Sequence, residues 1–418
     1  MLKKSFIIVF IQISGSLLGL ITIYFVAGSM EPEVYSLIGV FSVMSNILVT
    51  FSDLGIETTM MREALYWIEQ GKEENIKEYS TQAILSRLFA FVLILPFLLA
   101  YILFINYTKY EGNRFLLLCA ALLGIMISSL NNAMSLMVRS QGDYVFAQAS
   151  STINNYILKF AGLGLYFKYG ADTYLYFYAL SSIPLFIVYL IKIRKSLDFS
   201  FIRIKPMLRK VWVARYLWLK TDLDYVKNNA DGLLVSTLFP PSVMGSYTIF
   251  KNLEQLSINI IEGFFDVLSQ NTVRYKGNPD ELSKQEKKIK IPRNGFIILL
   301  GLLLAVFMLK PDFWIRLVHL TRYSAMKEMI VCLGIISIIH LIGKYEINAL
   351  AFFASSKLNF IMGLVVFAGS VLSFGVLLVL KNITGMLVQR IITYAIYTAI
   401  ALLFFKKVRN DIYSNIKK

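Results

Sequence analysis

The chain has 418 residues and a formal net charge of +16, and 57% of its residues are hydrophobic while 16% are charged. Its mean hydropathy of +0.63 is far from that of a soluble globular domain. This composition excludes an ordinary soluble enzyme. It predicts an all-α integral membrane protein of about 12 transmembrane helices, because each bilayer-spanning helix needs about 20 mainly apolar residues.

Twelve apolar runs follow one another along the chain. The first run lacks a small-residue cleavage site, so we expect it to remain as an anchor and not to be removed as a signal peptide. We expect charges to hide spans seven, eight and ten from a simple hydropathy plot. The alternative of a soluble domain over 192–294 is weak, because two strongly apolar runs interrupt that segment. The predicted spans are 5–28, 34–57, 81–105, 115–138, 144–167, 173–191, 211–238, 243–268, 295–309, 326–355, 358–380 and 383–405.

The distribution of basic residues orients these spans. With twelve spans both termini lie on one side of the membrane, and the loops and termini on that side hold 26 of the 42 Lys and Arg residues, against 8 in the opposite loops. This asymmetry predicts a multi-pass protein of the cytoplasmic (inner) membrane with both termini cytoplasmic. The net charge then reflects topology, and no nucleic-acid partner needs to be invoked.

A basic loop divides the spans into two groups of six. We predict an N-terminal six-helix lobe over 1–191, a basic cytoplasmic connector over 192–210 and a C-terminal six-helix lobe over 211–418. Two lobes joined in this way suggest alternating access through a central cavity.

Cations lie inside spans that ought to exclude them. A cation at membrane depth costs a few kcal/mol or more, so it is retained where it faces a wet cavity, an anion or a partner. A membrane protein with a cationic interior is therefore expected to handle an anionic substrate. The candidate substrate-binding residues are Arg87, Lys159, Lys220, Lys227 and Lys251.

Polar residues within the spans recur at helical spacing. In span seven, Lys220, Asp224, Lys227 and Asp231 follow one face, and span two has a similar polar face. Several wet faces predict a shared aqueous cavity. Two structural alternatives remain open: polar side chains also join helices within membrane bundles, and charges at i,i+4 spacing also pair with each other.

Enzyme signatures are absent from the sequence. It contains no GxxxxGK[ST] loop, GxSxG elbow or HExxH helix, and no spacing typical of a metal site. The longest outward loop, 310–325, is too short for the large external site of a typical polymerase or glycosyltransferase. We therefore predict a transporter without cofactor, metal or catalytic residues.

Three short segments resemble a known family. They are SDLGI at 52–56, RSQGDY at 139–144, and NADGLL at 229–234 leading to MGSY at 244–247. Together with the twelve-span pattern, they are similar to the polysaccharide-exporter branch of the multidrug/oligosaccharidyl-lipid/polysaccharide (MOP) superfamily. This branch includes the flippases of O-antigen and related lipid-linked oligosaccharides.

The resemblance implies two six-helix lobes around a cavity lined chiefly by spans one, two, seven and eight. It also implies a function: flipping an undecaprenyl-pyrophosphate-linked oligosaccharide repeat unit across the cytoplasmic membrane for O-antigen, lipopolysaccharide or capsule assembly. A cationic cavity suits the pyrophosphate. A polysaccharide polymerase and a chain-length regulator are candidate partners. The embedded acids that become candidates for ion coupling are Asp53, Glu57, Asp224, Asp231 and Glu262.

Two other functions remain open. A cation-coupled multidrug or other small-molecule antiporter of the same superfamily is expected to carry more embedded acids than bases, whereas here the two are nearly balanced. A membrane polymerase or glycosyltransferase is disfavoured by the short outward loops.

Overall fold

The computed structural model describes residues 2–110, 113–273, 279–354, 356–380 and 382–414, and within these ranges the chain forms helices and no β-strand. Eight helical segments of the described chain are long and apolar enough to cross a membrane, and residues 13–29 of the first helix are apolar as well. The prediction of an all-α membrane fold is therefore confirmed.

The chain divides into two compact units, Met1–Thr248 and Ile249–Lys418. This division falls later in the chain than the connector at 192–210, and the lobe boundaries placed around that connector stay a prediction. The helices up to the end of the first unit are α1 (Leu2–Ser29), α2 (Pro32–Ser52), α3 (Ile56–Glu69), α4 (Glu73–Thr108), α5 (Phe115–Ser140), α6 (Tyr144–Thr152), α7 (Leu158–Ala161), α8 (Leu163–Tyr169), α9 (Ala171–Leu180), α10 (Ile183–Ile193), α11 (Ile204–Val213) and α12 (Arg215–Leu238).

The later helices begin with α13, which contains the boundary between the units. They are α13 (Pro241–Val273), α14 (Pro279–Leu309), α15 (Pro311–Leu317), α16 (Met326–Phe353), α17 (Ser356–Leu380) and α18 (Ile383–Ser414). Helices thus lie at all twelve predicted spans. The charged helices α12 and α13 fall short of the apolarity of a typical span, as expected, but α16 reaches it. The expectation that charge would hide span ten was wrong, because α16 contains an apolar stretch of 18 residues with no more than two charged residues.

The connector packs onto the first unit. Met207 of α11 is fully buried in a cluster that also contains Trp67 of α3 and Met137 of α5. Two polar contacts hold the same segment: Lys210 Nζ lies 2.7 Å from Glu78 Oε1, and the Asp198 backbone N–H donates to Thr81 Oγ1 at 3.0 Å. The segment between the sixth and seventh spans is therefore an ordered part of the N-terminal unit.

Span five is not a continuous α-helix. A π-helical turn, Ile153–Ile157, separates α6 from α7. Such a turn inserts one extra residue per turn and changes the direction in which the following side chains point. Lys159, one of the candidate cations, lies two residues after this π-helical turn.

The second unit has its core around α13, α14, α16, α17 and α18. Phe265 and Ile261 of α13 are fully buried with Leu341 and Tyr345 of α16. The face of α14 away from this core is exposed and apolar over residues 298–309. A helix with one packed face and one exposed apolar face is typical of the periphery of a membrane bundle.

Candidate functional site

Arg87 of α4 and Glu57 of α3 form a buried bidentate ion pair, with 3% and 2% of their side chains exposed. The guanidinium Nε lies 2.5 Å from Glu57 Oε1, and a terminal nitrogen lies 2.7 Å from Oε2. The other terminal nitrogen donates to Ser52 Oγ, Ser129 Oγ and the Val49 carbonyl at 2.8–3.0 Å. All three guanidinium nitrogens are therefore engaged with protein groups.

The acidic partner of Arg87 is distant in the sequence. No acidic residue lies within one turn of Arg87 on α4, and Glu57, 30 residues earlier, supplies the carboxylate. A substrate contact by Arg87, or an ion-coupling role of Glu57, stays a prediction that would require the pair to open.

A polar residue of α2 contacts α12 within the first unit. Asn46 Nδ2 donates to Asn229 Oδ1 at 3.1 Å, but Asn229 lies on the side of α12 opposite to the stripe of Lys220, Asp224, Lys227 and Asp231, so this contact does not join the two predicted polar stripes. On α12, Lys220 Nζ lies 2.6 Å from Asp224 Oδ2, and both side chains are half-buried. Lys220 and Asp224 therefore pair with each other, which is the structural alternative that the i,i+4 spacing left open. The side chain of Lys227 lies outside the described residues.

The remaining candidate acids of this unit have backbone partners. Asp231 is completely buried, and its Oδ1 accepts from the Gly232 N–H at 3.0 Å. Asp53 ends α2, and its Oδ1 accepts from the Gly55 N–H at 3.0 Å. Gly55 has a φ of +79°, a backbone conformation that glycine adopts without strain. The SDLGI segment is thus a turn between α2 and α3, which accounts for its residue types without a ligand.

Lys159 differs from the other candidate cations. Its Nζ donates to the Tyr178 hydroxyl at 3.0 Å and lies 4.2 Å from the centre of that ring. The buried rings of Tyr174 and Phe41 pack beside Tyr178, with ring centres 6.1 and 6.4 Å from its own. Among the residues that the structure describes, no carboxylate lies within ion-pairing distance of the Lys159 ammonium. A half-buried cation is therefore held by neutral aromatic groups.

In the second unit, Lys251 belongs to a three-residue charge cluster. Glu254 Oε2 lies 2.7 Å from Lys251 Nζ and 2.8 Å from a guanidinium nitrogen of Arg390, and Oε1 accepts two further bonds from Arg390. Glu254 and Arg390 are 2% and 1% exposed, whereas Lys251 is 22% exposed. Arg390 thus anchors the carboxylate that holds the more accessible lysine.

Arg390 and Glu254 are not among the candidate site residues. A single Arg within span twelve is the sequence signal for this cluster, but its partner is 136 residues away. The candidate coupling residue Glu262 also has a partner, since its Oε1 lies 2.5 Å from Lys344 Nζ. Among the described residues no cluster of His, Cys, Asp and Glu could hold a metal ion.

Residues 26–290 match the family model described as "Polysaccharide biosynthesis protein". The chain belongs to this family. No curated protein sequence matches it. The match covers more than half of the chain and confirms the resemblance to polysaccharide exporters stated from the motifs.

Solved structures show which fold this family member has. An inward-facing multidrug resistance MATE family transporter of the MOP superfamily matches with a TM-score of 0.69 and 15% identity over 98% of this chain and 99% of that chain. An outward-facing MATE structure matches with a TM-score of 0.65 and 14% identity over 99% and 96%. A MOP superfamily transporter from Pyrococcus furiosus, described as having a binding pocket of reverse polarity, matches at 0.63 and 12% over 99% and 96%. The chain therefore has the fold of MOP superfamily transporters.

Proposed function

We propose that the protein flips an undecaprenyl-pyrophosphate-linked oligosaccharide across the cytoplasmic membrane for surface polysaccharide assembly, with both termini cytoplasmic. Membership of the polysaccharide biosynthesis family supports the substrate class, and the MOP fold supports transport by a multi-pass membrane protein. A polysaccharide polymerase and a chain-length regulator are the partners that such a step would serve.

The observation that carries this proposal is the setting of Lys159. Lys159 lies within a span, is held by Tyr178 and has no carboxylate among its described neighbours, so its ammonium is available to an anionic ligand. Its helix packs against α1 in the same unit, and α1 is one of the spans that the family resemblance assigns to the cavity. The ammonium suits the pyrophosphate, and the partly exposed Tyr178 offers a flat ring and a hydroxyl to the sugar.

The other candidate cations are proposed as secondary contacts. Lys220 and Lys251 are partly accessible and each is held by one acid, Asp224 or Glu254. A phosphate group can join such a pair on its exposed side without removing the acid. The lipid tail would stay in the bilayer while the charged head moves, and the ion-coupling roles of Asp53, Asp224, Asp231 and Glu262 belong to the same proposal.

The second candidate is a cation-coupled multidrug antiporter, since two of the reported structural neighbours are described as multidrug transporters. Such a protein recognises cationic compounds, and a lysine held by neutral groups would repel them. The two functions therefore make opposite predictions for Lys159.

Proteoliposomes loaded with a fluorescent polyprenyl-pyrophosphate oligosaccharide test both functions. Replacing Lys159 with Gln should lower the apparent affinity for this lipid by about ten- to hundredfold, because a charge-assisted contact to phosphate contributes about 1.5–3 kcal/mol. Lys159→Arg should retain most activity, and Lys168→Gln, nine residues later and exposed, is the matched control. Transport of cationic dyes that improves in Lys159→Gln, with no flipping by the wild type, would favour the antiporter and reject the flippase.

A further inference from the structure

A cavity of about 850 Å³ lies where α14, α15 and α16 meet at one end of the second unit. It is separate from the embedded ion pairs, and all of its lining residues belong to the second unit. Four of these residues are charged: Lys310, Asp312, Arg316 and Lys327. The others that matter here, Leu309, Phe313 and Leu317, are exposed apolar side chains.

Positive charge predominates in this cavity. The carboxylate of Asp312 lies 3.2 Å from Lys327 Nζ, and both side chains are exposed. For Lys310 and Arg316 the described residues provide no carboxylate within ion-pairing distance. Three cations facing one acid form an anion-binding surface, and an Arg beside two Lys residues suits a phosphate group in particular.

An apolar surface leads away from the cavity along α14. Six side chains on this helix are between 58% and 78% exposed. Their spacing places them along one helical face, and its last member, Leu309, also lines the cavity. The face consists of Ile298, Leu299, Leu302, Leu303, Val306 and Leu309.

We infer that this cavity binds an anionic phospholipid of the surrounding leaflet. The phosphate would contact Lys310, Arg316 and Lys327, and an acyl chain would follow the apolar face of α14. The basic cavity and the apolar face of α14 are continuous, and this favours a lipid as the ligand. A soluble phosphate compound would contact the cations alone. Basic pockets between transmembrane helices that hold lipid headgroups work on the same physical basis.

Native mass spectrometry of the detergent-solubilised protein tests this site without any transport assay, so its outcome is independent of the proposed function. Phosphatidylglycerol and phosphatidylcholine are titrated against three proteins: the wild type, a site variant (Lys310→Gln, Arg316→Gln, Lys327→Gln), and a control variant (Lys287→Gln, Lys288→Gln, Lys290→Gln). The control removes the same charge from exposed lysines near the other end of α14.

We expect the wild type and the control to bind one phosphatidylglycerol at least tenfold more tightly than phosphatidylcholine. The site variant should lose this preference, and inorganic pyrophosphate at equal concentration should not displace the lipid. If the site variant does not remain monodisperse, the single variants Lys310→Gln and Arg316→Gln, which leave the Lys327–Asp312 pair intact, are each expected to weaken binding at least threefold.

Three results would overturn the inference. They are equal lipid affinities of the wild type and the site or single variants, displacement of the lipid by inorganic pyrophosphate, and tighter binding of polyprenyl pyrophosphate than of phosphatidylglycerol at this site. The last result would assign the cavity to a transported lipid instead of a membrane phospholipid.

Discussion

The guanidinium of Arg87 binds both carboxylate oxygens of Glu57, joining the middle of α4 to the first turn of α3 in a position that is almost closed to solvent. Ser52 and Ser129 complete the arrangement by accepting from the same guanidinium. Four helix segments, α2 to α5, thus converge on one side chain. Removing either partner of such a pair leaves an uncompensated buried charge, which costs more than removing both.

We therefore expect Arg87→Met to lower the free energy of unfolding by about 3–5 kcal/mol, and the double variant Arg87→Met, Glu57→Leu to recover most of this loss. Membrane accumulation and thermal unfolding in detergent measure the effect. Arg114→Met, which removes an exposed ion pair with Asp172, is the control and should change stability by no more than about 1 kcal/mol. A stable Arg87→Met protein with impaired transport would instead assign Arg87 to the substrate.

Gly124 of α5 lies directly against the backbone of α9. A Cβ at this position would overlap the carbonyl group of Ala179, whereas a Cβ at Gly164 would meet no atom within 4 Å. Gly124→Ala should therefore destabilise the protein by about 1–3 kcal/mol, the usual cost of overpacking. Gly164→Ala should be neutral or slightly stabilising, because Ala favours a helix over Gly. Equal melting temperatures of the two variants would show that α5 and α9 do not pack this closely.

Asp231 is the fully buried acid of α12. Asp231→Asn keeps an oxygen acceptor for the Gly232 N–H but removes the titratable group. If Asp231 serves ion coupling, the variant should accumulate normally in the membrane while flipping in proteoliposomes no longer responds to an imposed ion gradient. Asp312→Asn, an exposed acid on α15, is the matched control. Unchanged gradient dependence in Asp231→Asn would exclude this residue from coupling.

The predicted orientation is tested by single cysteines in exposed positions. In a background with Cys119 replaced by Ser, Ser200→Cys should react with an impermeant thiol reagent only from the cytoplasmic side. Thr321→Cys should react only from outside. Both positions are exposed, and the remaining Cys332 is buried. Labelling of both from the same side would contradict the twelve-span topology.

Lys210 in the connector makes the stability of the folded protein depend on pH. Burial lowers the pKa of Lys210, and the nearby Glu78 carboxylate opposes part of this shift. Since the folded pKa lies below the unfolded value, the unfolded state binds more protons in the window between them, so stability rises with pH there. Arg remains protonated throughout that range.

The melting temperature of the wild type relative to Lys210→Arg should therefore increase as the pH rises from neutral towards the ordinary lysine value of about 10.4. Differential scanning fluorimetry in detergent measures both proteins in the same buffers. A difference that is constant or falls with pH would show that Lys210 is not held in a buried position.

Local sequence patterns predict much of this fold, because apolar runs and loop charges act over one helix at a time. The same patterns identified the i,i+4 partner of Lys220 as an alternative to a ligand. They could not identify Glu57 as the partner of Arg87, or Arg390 as the partner of Glu254, since these contacts depend on how helices pack. The π-helical turn before Lys159 escaped prediction for the same reason, as no residue type in 153–157 demands it.

The order in which the charges of the Glu254 cluster are synthesised has a consequence for biogenesis. Glu254 and Lys251 leave the ribosome together, three residues apart, whereas Arg390 follows 136 residues later. At about 5–20 residues per second this delay is about 7–27 seconds. During that interval Lys251 is the counterion that accompanies the carboxylate in α13. The arrival of α18 then adds a distant second partner to the local one, so a helix made much later completes the burial of this charge.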